Sequence, residues 1–344
     1  MSVVFVTGGA GYVGSHTAMV LAAAGHDVVI YDNLSAGHAH TVDVLARHFP
    51  ERSIRLIVGD IGDADAITDA LRTSGASAVL HFAAKLSVGG SVADPLAYYR
   101  NNVTGTLTLL EAMTSAGIRR FVFSSTAATF GEPLQIPIDE THPQKPISPY
   151  GETKLAIERA LPHVERTCGI RWVVLRYFNA AGADPSGLIG EAHDPEEHVI
   201  PLALRAAVGG PPLTVYGDDY QTDDGTCIRD YVHVTDLAEA HVAALRALDA
   251  SAPSTAYNLG SGAGTSIREL LRTVERVTGR AVPHTVGPRR SGDPARLIAS
   301  SARIRRELGW SPRFERLDDI VETSWRWETT RAPRPSDPRA PGRA

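Results

Sequence analysis

The sequence has few cysteines and no long apolar run. Of 344 residues only Cys168 and Cys227 are cysteines, which argues against a disulfide framework and a cysteine-rich metal site and favours a reducing compartment. No apolar stretch reaches the roughly 20 residues that cross a bilayer. The first residues, MSVVFVTGG, lack the basic stretch and cleavage pattern of a signal peptide. We therefore expect a cytoplasmic protein without a membrane-spanning segment.

The chain also lacks an excess of positive charge. Its 34 lysines and arginines face 39 aspartates and glutamates, which gives a formal net charge of −5. This balance argues against nucleic acid or an anionic membrane surface as a partner, so an anionic ligand must be held by local groups. Hydrophobic residues (43%) and charged residues (21%) occur at ordinary globular frequencies, and the length suffices for two fused domains.

The first half of the chain alternates short apolar runs with amphipathic stretches of helical length. The runs are rich in β-branched or aromatic residues and lie at 3–7, 27–31, 54–58, 78–82, 120–124 and 172–178. Strand alternating with helix predicts an α/β fold with a doubly wound parallel sheet. After residue 179 the rhythm breaks, and only shorter elements are predicted, at 199–208, 213–216 and 255–259.

These changes in pattern predict three regions. Residues 1–178 would form a nucleotide-binding domain of Rossmann type. Residues 179–330 would form a smaller α/β substrate-binding domain, with some segments returning to the first. The Pro/Arg-rich stretch 331–344 has the composition of a disordered tail.

A glycine-rich turn follows the first predicted strand directly. Gly8, Gly11 and Gly14 in TGGAGYVGSH have the spacing G-x-x-G-x-x-G at the start of a predicted helix. Glycine lets the backbone approach a pyrophosphate, and the helix N-terminus offers N–H donors. The alternative is an ordinary turn, but Asp32 ends the second strand 18 residues after Gly14. A carboxylate there accepts hydrogen bonds from the ribose hydroxyls of the cofactor and repels a 2′-phosphate, so we predict NAD rather than NADP.

The segment SPYGETK, residues 148–154, places Tyr150 and Lys154 one helical turn apart. Alone, such a pair is most often an ordinary surface pair. Here it follows the strand end FSST, where Thr126 can hydrogen-bond a reacting oxygen. Tyr150 could act as a base near neutrality if its pKa fell by about 2–3, roughly 3–4 kcal/mol of preference for the phenolate. Lys154 and an oxidised nicotinamide would supply the positive charge.

With this three-glycine spacing the chain resembles the short-chain dehydrogenase/reductases. In that family the resemblance implies that Asp60 and Ile61 flank the adenine and that HFAA, residues 81–84, lines the dinucleotide. Tyr150 and Lys154 would also touch the cofactor. Its further implied contacts are Tyr12, Val13, Asn33, Phe82, Ala83, Ala84, Asn101, Ser124 and Phe178.

A closer resemblance covers residues 1 to about 328. The segments PLAYYRNNVTGTLTLLEAM, FSSTAATFGEP, SPYGETKLAIE, LRYFNAAGADPSG and GTCIRDYVHVTDLAEAH, in this order, resemble the UDP-glucose 4-epimerase family. The resemblance implies interconversion of UDP-galactose and UDP-glucose with tightly bound NAD. Tyr150 would take the proton of the 4-hydroxyl, and a 4-keto intermediate would rotate before hydride and proton return. It also implies a homodimer formed through a long helix near 91–115 and the SPYGETK helix.

The same resemblance implies the contacts to the UDP-sugar. Asn179, Arg229 and Arg290 would bind the diphosphate, and Asp293 the uridine ribose. The implied substrate-binding set is Thr126, Tyr150, Asn179, His198, Val199, Arg229, Arg290 and Asp293. Leu297 stands where the family carries a residue of variable size beside the sugar, so N-acetyl sugars stay possible.

Other functions remain open. A 4-epimerase of UDP-N-acetylhexosamines or UDP-pentoses would use the same residues. Nucleotide-sugar dehydratases and decarboxylases carry acids after the catalytic threonine, where this chain has Ala127 and Ala128. A silent NAD-sensing protein would need a broken catalytic set, and Thr126, Tyr150 and Lys154 are all present.

The segment HDPEEH contains His193, Glu196, Glu197 and His198. It lies in a Gly/Pro-rich stretch without a recognisable ligand pattern, so we interpret these side chains as solvated loop residues and predict no metal.

Overall fold

The computed structural model describes residues 2–290 and 292–331. The thirteen strands of these residues are β1 Val3–Thr7, β2 Asp27–Asp32, β3 Ile54–Val58, β4 Ala76–His81, β5 Arg120–Thr126, β6 Arg171–Tyr177, β7 Asn179–Ala181, β8 Leu213–Tyr216, β9 Ile228–His233, β10 Thr255–Leu259, β11 Gly264–Ser266, β12 His284–Gly287 and β13 Arg296–Leu297.

The twelve α-helices of the same residues are α1 Tyr12–Ala23, α2 Ala39–His48, α3 Ala64–Ser74, α4 Val88–Ala93, α5 Pro95–Tyr98, α6 Gly105–Ala116, α7 Pro149–Cys168, α8 Val199–Ala207, α9 Val234–Asp249, α10 Ile267–Thr278, α11 Ala302–Leu308 and α12 Leu317–Thr330. In the described ranges no helix is both long and apolar enough to cross a membrane.

The central sheet has seven strands in the order β10-β6-β5-β4-β1-β2-β3, all parallel. Alternate residues of one strand face opposite layers. Val4 and Val6 belong to one buried cluster, whereas Phe5, Phe121 and Phe123 belong to another. Helices therefore cover both faces, and the prediction of a doubly wound α/β fold is confirmed.

The strand order reverses between β4 and β1. The connections that follow these two strands leave in opposite directions, which opens a crevice at their carboxyl ends. The glycine turn follows β1, and Phe82 and Ala83 follow β4, so both segments reach the same crevice.

Part of the second predicted region joins this sheet. Strand β10 pairs with β6 in parallel, and α9 packs against α1. The remaining strands form a sheet of β11, β9 and β13 with β7 beside β9, and a pair of β12 with β8. The two-domain division stays a prediction, and the predicted tail lies outside the described residues except for Arg331.

The long helix predicted near 91–115 is present without a break from Pro95 to Ala116, whereas residues 91–93 belong to a separate short helix. The chain forms α4 and α5, a π-helical turn at Tyr99–Thr104 and then α6. Ser87 caps α4, and the Asp94 carboxylate accepts the Ala97 N–H at 3.1 Å at the start of α5, where Pro95 is the first helical residue. A new cap and a proline so close together start a new helix rather than continue one.

Candidate active site

A cavity of about 500 Å³ lies at the crevice, within the size range of cofactor sites. It is lined by most of the predicted site residues: Gly8, Gly11, Tyr12, Val13, Gly14, Asp32, Asn33, Asp60, Ile61, Phe82, Ala83, Ala84, Asn101, Thr126, Tyr150, Phe178, Asn179, His198 and Val199. Lys154 and Ser124 are buried behind this wall.

The glycine turn packs too tightly for side chains. Gly8 has φ +70°, and a Cβ built there would lie 2.5 Å from the Ala83 nitrogen. A Cβ at Gly14 would lie 2.3 Å from the Gly8 carbonyl oxygen. Among the described residues no side chain caps α1, whose N-cap is Gly11. The N–H groups of its first turn are therefore available to an anion at the cavity wall, as a dinucleotide pyrophosphate requires.

Asp32 lines the cavity at the carboxyl end of β2. It is 7% exposed, and its carboxylate accepts the N–H groups of Ala10 (3.0 Å) and Leu34 (2.8 Å). Burial raises the pKa of Asp32, and these two bonds counteract the rise. Each carboxylate oxygen has a second lone pair, so both can still accept a ribose hydroxyl. The glycine turn and Asp32 thus fit a dinucleotide.

Helix α7 begins where the sequence predicts a catalytic helix. Ser148 accepts the Gly151 N–H at 3.2 Å, and Pro149 is the first helical residue. Tyr150 therefore stands in the first turn at the cavity wall, and Lys154 follows one turn later on the same side. Lys154 is 4% exposed, and its Nζ donates to the Ser124 carbonyl oxygen at 2.9 Å.

The two catalytic candidates have strongly shifted pKa values. Burial lowers the pKa of Lys154 to about 7, although Glu158 counteracts this effect. Burial and Tyr177 raise the pKa of Tyr150, and a hydrogen bond with Thr126 counteracts the rise. The described residues alone do not lower the pKa of Tyr150, so the decrease that a base requires depends on positive charge brought by the cofactor.

Glu158 anchors the catalytic helix from behind. Its carboxylate is buried, accepts a hydrogen bond from Ser125, and forms an ion pair with Arg176 at 2.7 Å. Gln144 donates to the same carboxylate at 2.9 Å. These contacts tie α7 to the ends of β5 and β6, close to Thr126 and Tyr177.

We expect Glu158→Ala to destabilise the protein by about 3–5 kcal/mol, because it leaves the Arg176 charge buried without its carboxylate. Urea unfolding followed by circular dichroism measures the change. Glu152→Ala, on the same helix but half-buried, should change the free energy of unfolding by less than about 0.5 kcal/mol. Equal losses for the two variants would contradict the proposed anchoring.

Asn102 is a positioning residue that the sequence did not single out. It is 3% exposed, bonds both the N–H and the carbonyl of Lys85 (2.8 and 3.0 Å), and donates to the Thr153 hydroxyl at 3.1 Å. It thereby holds the segment after β4 against α7. Its neighbour Asn101, which was predicted, lines the cavity.

The predicted substrate residues fall into two groups. Asn179, His198 and Val199 line the main cavity, whereas Arg290 and Asp293 line a second cavity of about 390 Å³ that shares Val199. Further lining residues that the sequence did not reveal are Tyr177 and Tyr231 in the first cavity and Tyr216 and Cys227 in the second.

Arg229 lines neither of these two cavities and forms an ion pair with Asp293. Arg290 is exposed and stacks its guanidinium over the Tyr216 ring at 4.0 Å. The side chains that were predicted to bind phosphate and ribose therefore already contact other side chains of the protein.

The interpretation of HDPEEH as solvated loop residues holds for the exposed Glu197 but is wrong for His193 and Glu196. The Glu196 side chain is 1% exposed and Glu191, just before the segment, is 6% exposed. Burial acts to raise the pKa of Glu191, but the imidazoles of His198 and His193 outweigh this effect and lower the pKa to about 2. Burial works to lower the pKa of His193, but the two carboxylates raise it to about 10.

Comparison with known proteins shows the family to which the chain belongs. The model of the NAD dependent epimerase/dehydratase family matches residues 4–260. The chain belongs to this family. It is 51% identical to the UDP-glucose 4-epimerase of Lacticaseibacillus casei over 323 residues, 94% of this chain and 95% of that protein.

Solved structures of family members superpose on most of the chain. The UDP-glucose 4-epimerase of Brucella ovis in complex with NAD is 48% identical with a TM-score of 0.89, covering 94% of this chain and 98% of that one. The enzyme of Bifidobacterium longum in complex with NAD+ and UDP is 36% identical with a TM-score of 0.90, covering 95% and 98%. The sequence resemblance to epimerases is confirmed.

Proposed function

We propose that this protein interconverts UDP-galactose and UDP-glucose with bound NAD. The supporting observation is a single cavity whose wall carries Tyr150 and Thr126 together with the glycine turn, Asp32, Asn179, His198 and Val199. A cofactor and a sugar bound in this cavity can thus both contact the Tyr150 phenol. The names of the similar proteins supply the identity of the sugar nucleotide.

Each catalytic residue has a distinct task. Bound NAD would take a hydride from the sugar C4 and return it, and its oxidised ring would bring positive charge beside the phenol. Tyr150 removes the proton of the 4-hydroxyl, and Thr126 hydrogen-bonds the reacting oxygen. Lys154, held by the Ser124 carbonyl, favours the phenolate. Rotation of the 4-keto sugar presents its other face before Tyr150 returns the proton.

The uridine diphosphate would extend from the main cavity into the second one. Val199 lines both, and Arg290 and Asp293 line the second. Arginine suits bidentate phosphate recognition. In this arrangement Asn179 and Arg290 bind phosphate oxygens, Asp293 accepts the ribose hydroxyls, and Arg229 orients Asp293 through its ion pair.

Other sugars and reactions are second candidates. Leu297 lines neither of the two cavities and packs against the cluster that contains Phe178, which lines the first cavity. UDP-N-acetylhexosamines and UDP-pentoses are therefore secondary substrates to test. Elimination of water needs an acid–base pair, and residues 127 and 128 are alanines. The intact set of Thr126, Tyr150 and Lys154 argues against a silent NAD-sensing role.

Proton NMR of UDP-galactose incubated with purified protein, without added NAD, tests the proposal. We expect conversion to an equilibrium mixture with UDP-glucose, which would demonstrate both epimerisation and a retained cofactor. No conversion, even with added NAD, would contradict the proposed substrate pair. The same assay with UDP-pentoses and UDP-N-acetyl sugars would then separate a different substrate from a different reaction.

We also propose that the protein is a homodimer. Large apolar side chains are exposed together on α4, α5, the π-helical turn and α6, namely Val88, Val92, Leu96, Tyr99 and Leu107. Val92 and Leu96 are each 65% exposed. Exposed apolar side chains on successive helices are typical of a protein interface, and α7 packs beside α4.

Light scattering after gel filtration checks this assembly. We expect twice the chain mass for the wild type and the mass of one chain for Val92→Asp/Leu96→Asp, because two charges would have to be buried in each copy. Leu134→Asp, which changes a 74% exposed leucine outside this surface, should stay dimeric. Identical masses for both variants would remove α4 and α5 from the interface.

A cytoplasmic location is part of the same proposal. Both Cys168 and Cys227 are free thiols, as is usual for proteins kept in a reducing compartment.

A further inference from the structure

Four side chains of one short segment converge on a common point beside the main cavity. Glu191, His193, Glu196 and His198, called here the Glu191 cluster, each offer one ligand atom, and these atoms all lie within 4.8 Å of one another. The Nδ1 atom of His193 lies 2.9 Å from Glu191 Oε1 and 3.7 Å from Glu196 Oε1. The Nδ1 atom of His198 contacts the same Glu191 oxygen.

Groups outside the cluster hold its backbone and its second carboxylate in place. Trp327 donates its indole N–H to the Glu191 carbonyl at 2.7 Å, and His38 Nε2 lies 2.8 Å from the Ala192 carbonyl. Arg205 reaches Glu196 Oε2 at 3.3 Å, and Oε1 accepts the N–H groups of Glu197 and His198, both at 3.1 Å, which holds this oxygen 3.7 Å from His193 Nδ1. The four ligand atoms are therefore arranged by the fold.

The chemistry of this arrangement favours a cation at its centre. The nearly buried carboxylates of Glu191 and Glu196 are paired with the imidazoles of His193 and His198 and with the Arg205 guanidinium, so a divalent ion would take the place of the protons on the two imidazoles. Two imidazole nitrogens and two carboxylate oxygens match the donors and the tetrahedral coordination number of Zn²⁺. Hard ions such as Mg²⁺ and Ca²⁺ instead prefer oxygen ligands alone.

We propose that the Glu191 cluster is a binding site for a divalent transition-metal ion, best matched by Zn²⁺. The ion would join the loop before α8 to the first residues of that helix, because His198 is its N-cap. His193 also packs edge-on against Tyr12 of the glycine turn, with ring centroids 6.1 Å apart. The site would therefore brace the cavity wall between the glycine turn and Val199.

Zinc binding to untagged, EDTA-treated protein tests this site. Isothermal titration and elemental analysis after dialysis should give one Zn²⁺ per chain for the wild type, and Mg²⁺ should not displace it. His193→Gln and Glu196→Gln remove one ligand each and should weaken binding by at least about tenfold. His40→Gln, which changes an exposed histidine of the same chain, should bind Zn²⁺ like the wild type.

Two results would overturn the proposal. No zinc above the dialysis buffer in the wild type would mean that protons alone hold the cluster together. Zinc bound equally by wild type and His193→Gln, with both correctly folded by circular dichroism, would place the ion elsewhere, for example at Cys168 or Cys227.

Discussion

Tyr150→Phe should lower kcat for UDP-galactose by at least about 10³-fold while leaving the bound NAD in place. The change removes only the phenol oxygen, so the ring keeps its place in the cavity wall. The cofactor should stay because the substitution leaves the glycine turn and Asp32 unchanged. Turnover measured by NMR, together with the NAD released on denaturation, gives both quantities.

The matched control for this variant is Tyr177→Phe. Tyr177 lines the same cavity and is close enough to Tyr150 to raise its pKa, but we assign it no proton transfer. Its loss of turnover should stay below about tenfold. If Tyr150→Phe turned over at the wild-type rate, or if both variants lost activity equally, Tyr150 would not be the acid–base residue.

Lys154→Met should lower turnover by about 10²-fold and move the rising part of the pH–rate profile to higher pH by about 1–3 units. The reason is the sign of the charge. An ammonium one turn from Tyr150 stabilises the phenolate, so its removal lets the phenol keep its proton to higher pH. Methionine retains most of the buried volume of a side chain that is only 4% exposed.

The pH dependence of kcat/KM for wild type and Lys154→Met checks this role, and Lys145→Met, at an exposed lysine, is the control. Retained NAD should also fall in Lys154→Met but not in Lys145→Met. An unchanged profile in Lys154→Met would show that Lys154 does not tune Tyr150.

The parts of the fold that could be predicted are those specified by local sequence. The apolar runs at 3–7 and 54–58 coincide with β1 and β3, and TGGAGYVGSH forms the turn expected after β1. The break between α4 and α5 also has a local signal, because Asp94 precedes Pro95.

The missed parts of the site depend on contacts between distant segments. Asn102 matters because it meets Lys85 and Thr153, 17 and 51 residues away. Arg229 and Asp293 were both predicted to bind substrate, and only the fold pairs them with each other over 64 residues. The backbone carbonyl of Glu191 is likewise held by Trp327, which belongs to α12. No local pattern carries such information.

The place of β10 in the central sheet has a consequence for synthesis of the chain. When residue 178 leaves the ribosome, β6 is still the outermost strand. The backbone N–H and C=O groups along its free edge have no partner until residues 255–259 follow. An unpaired edge of this kind is prone to join other chains. The nascent protein therefore has an interval of about 80 residues of translation, at roughly 5–20 residues per second, during which protection by chaperones would matter most.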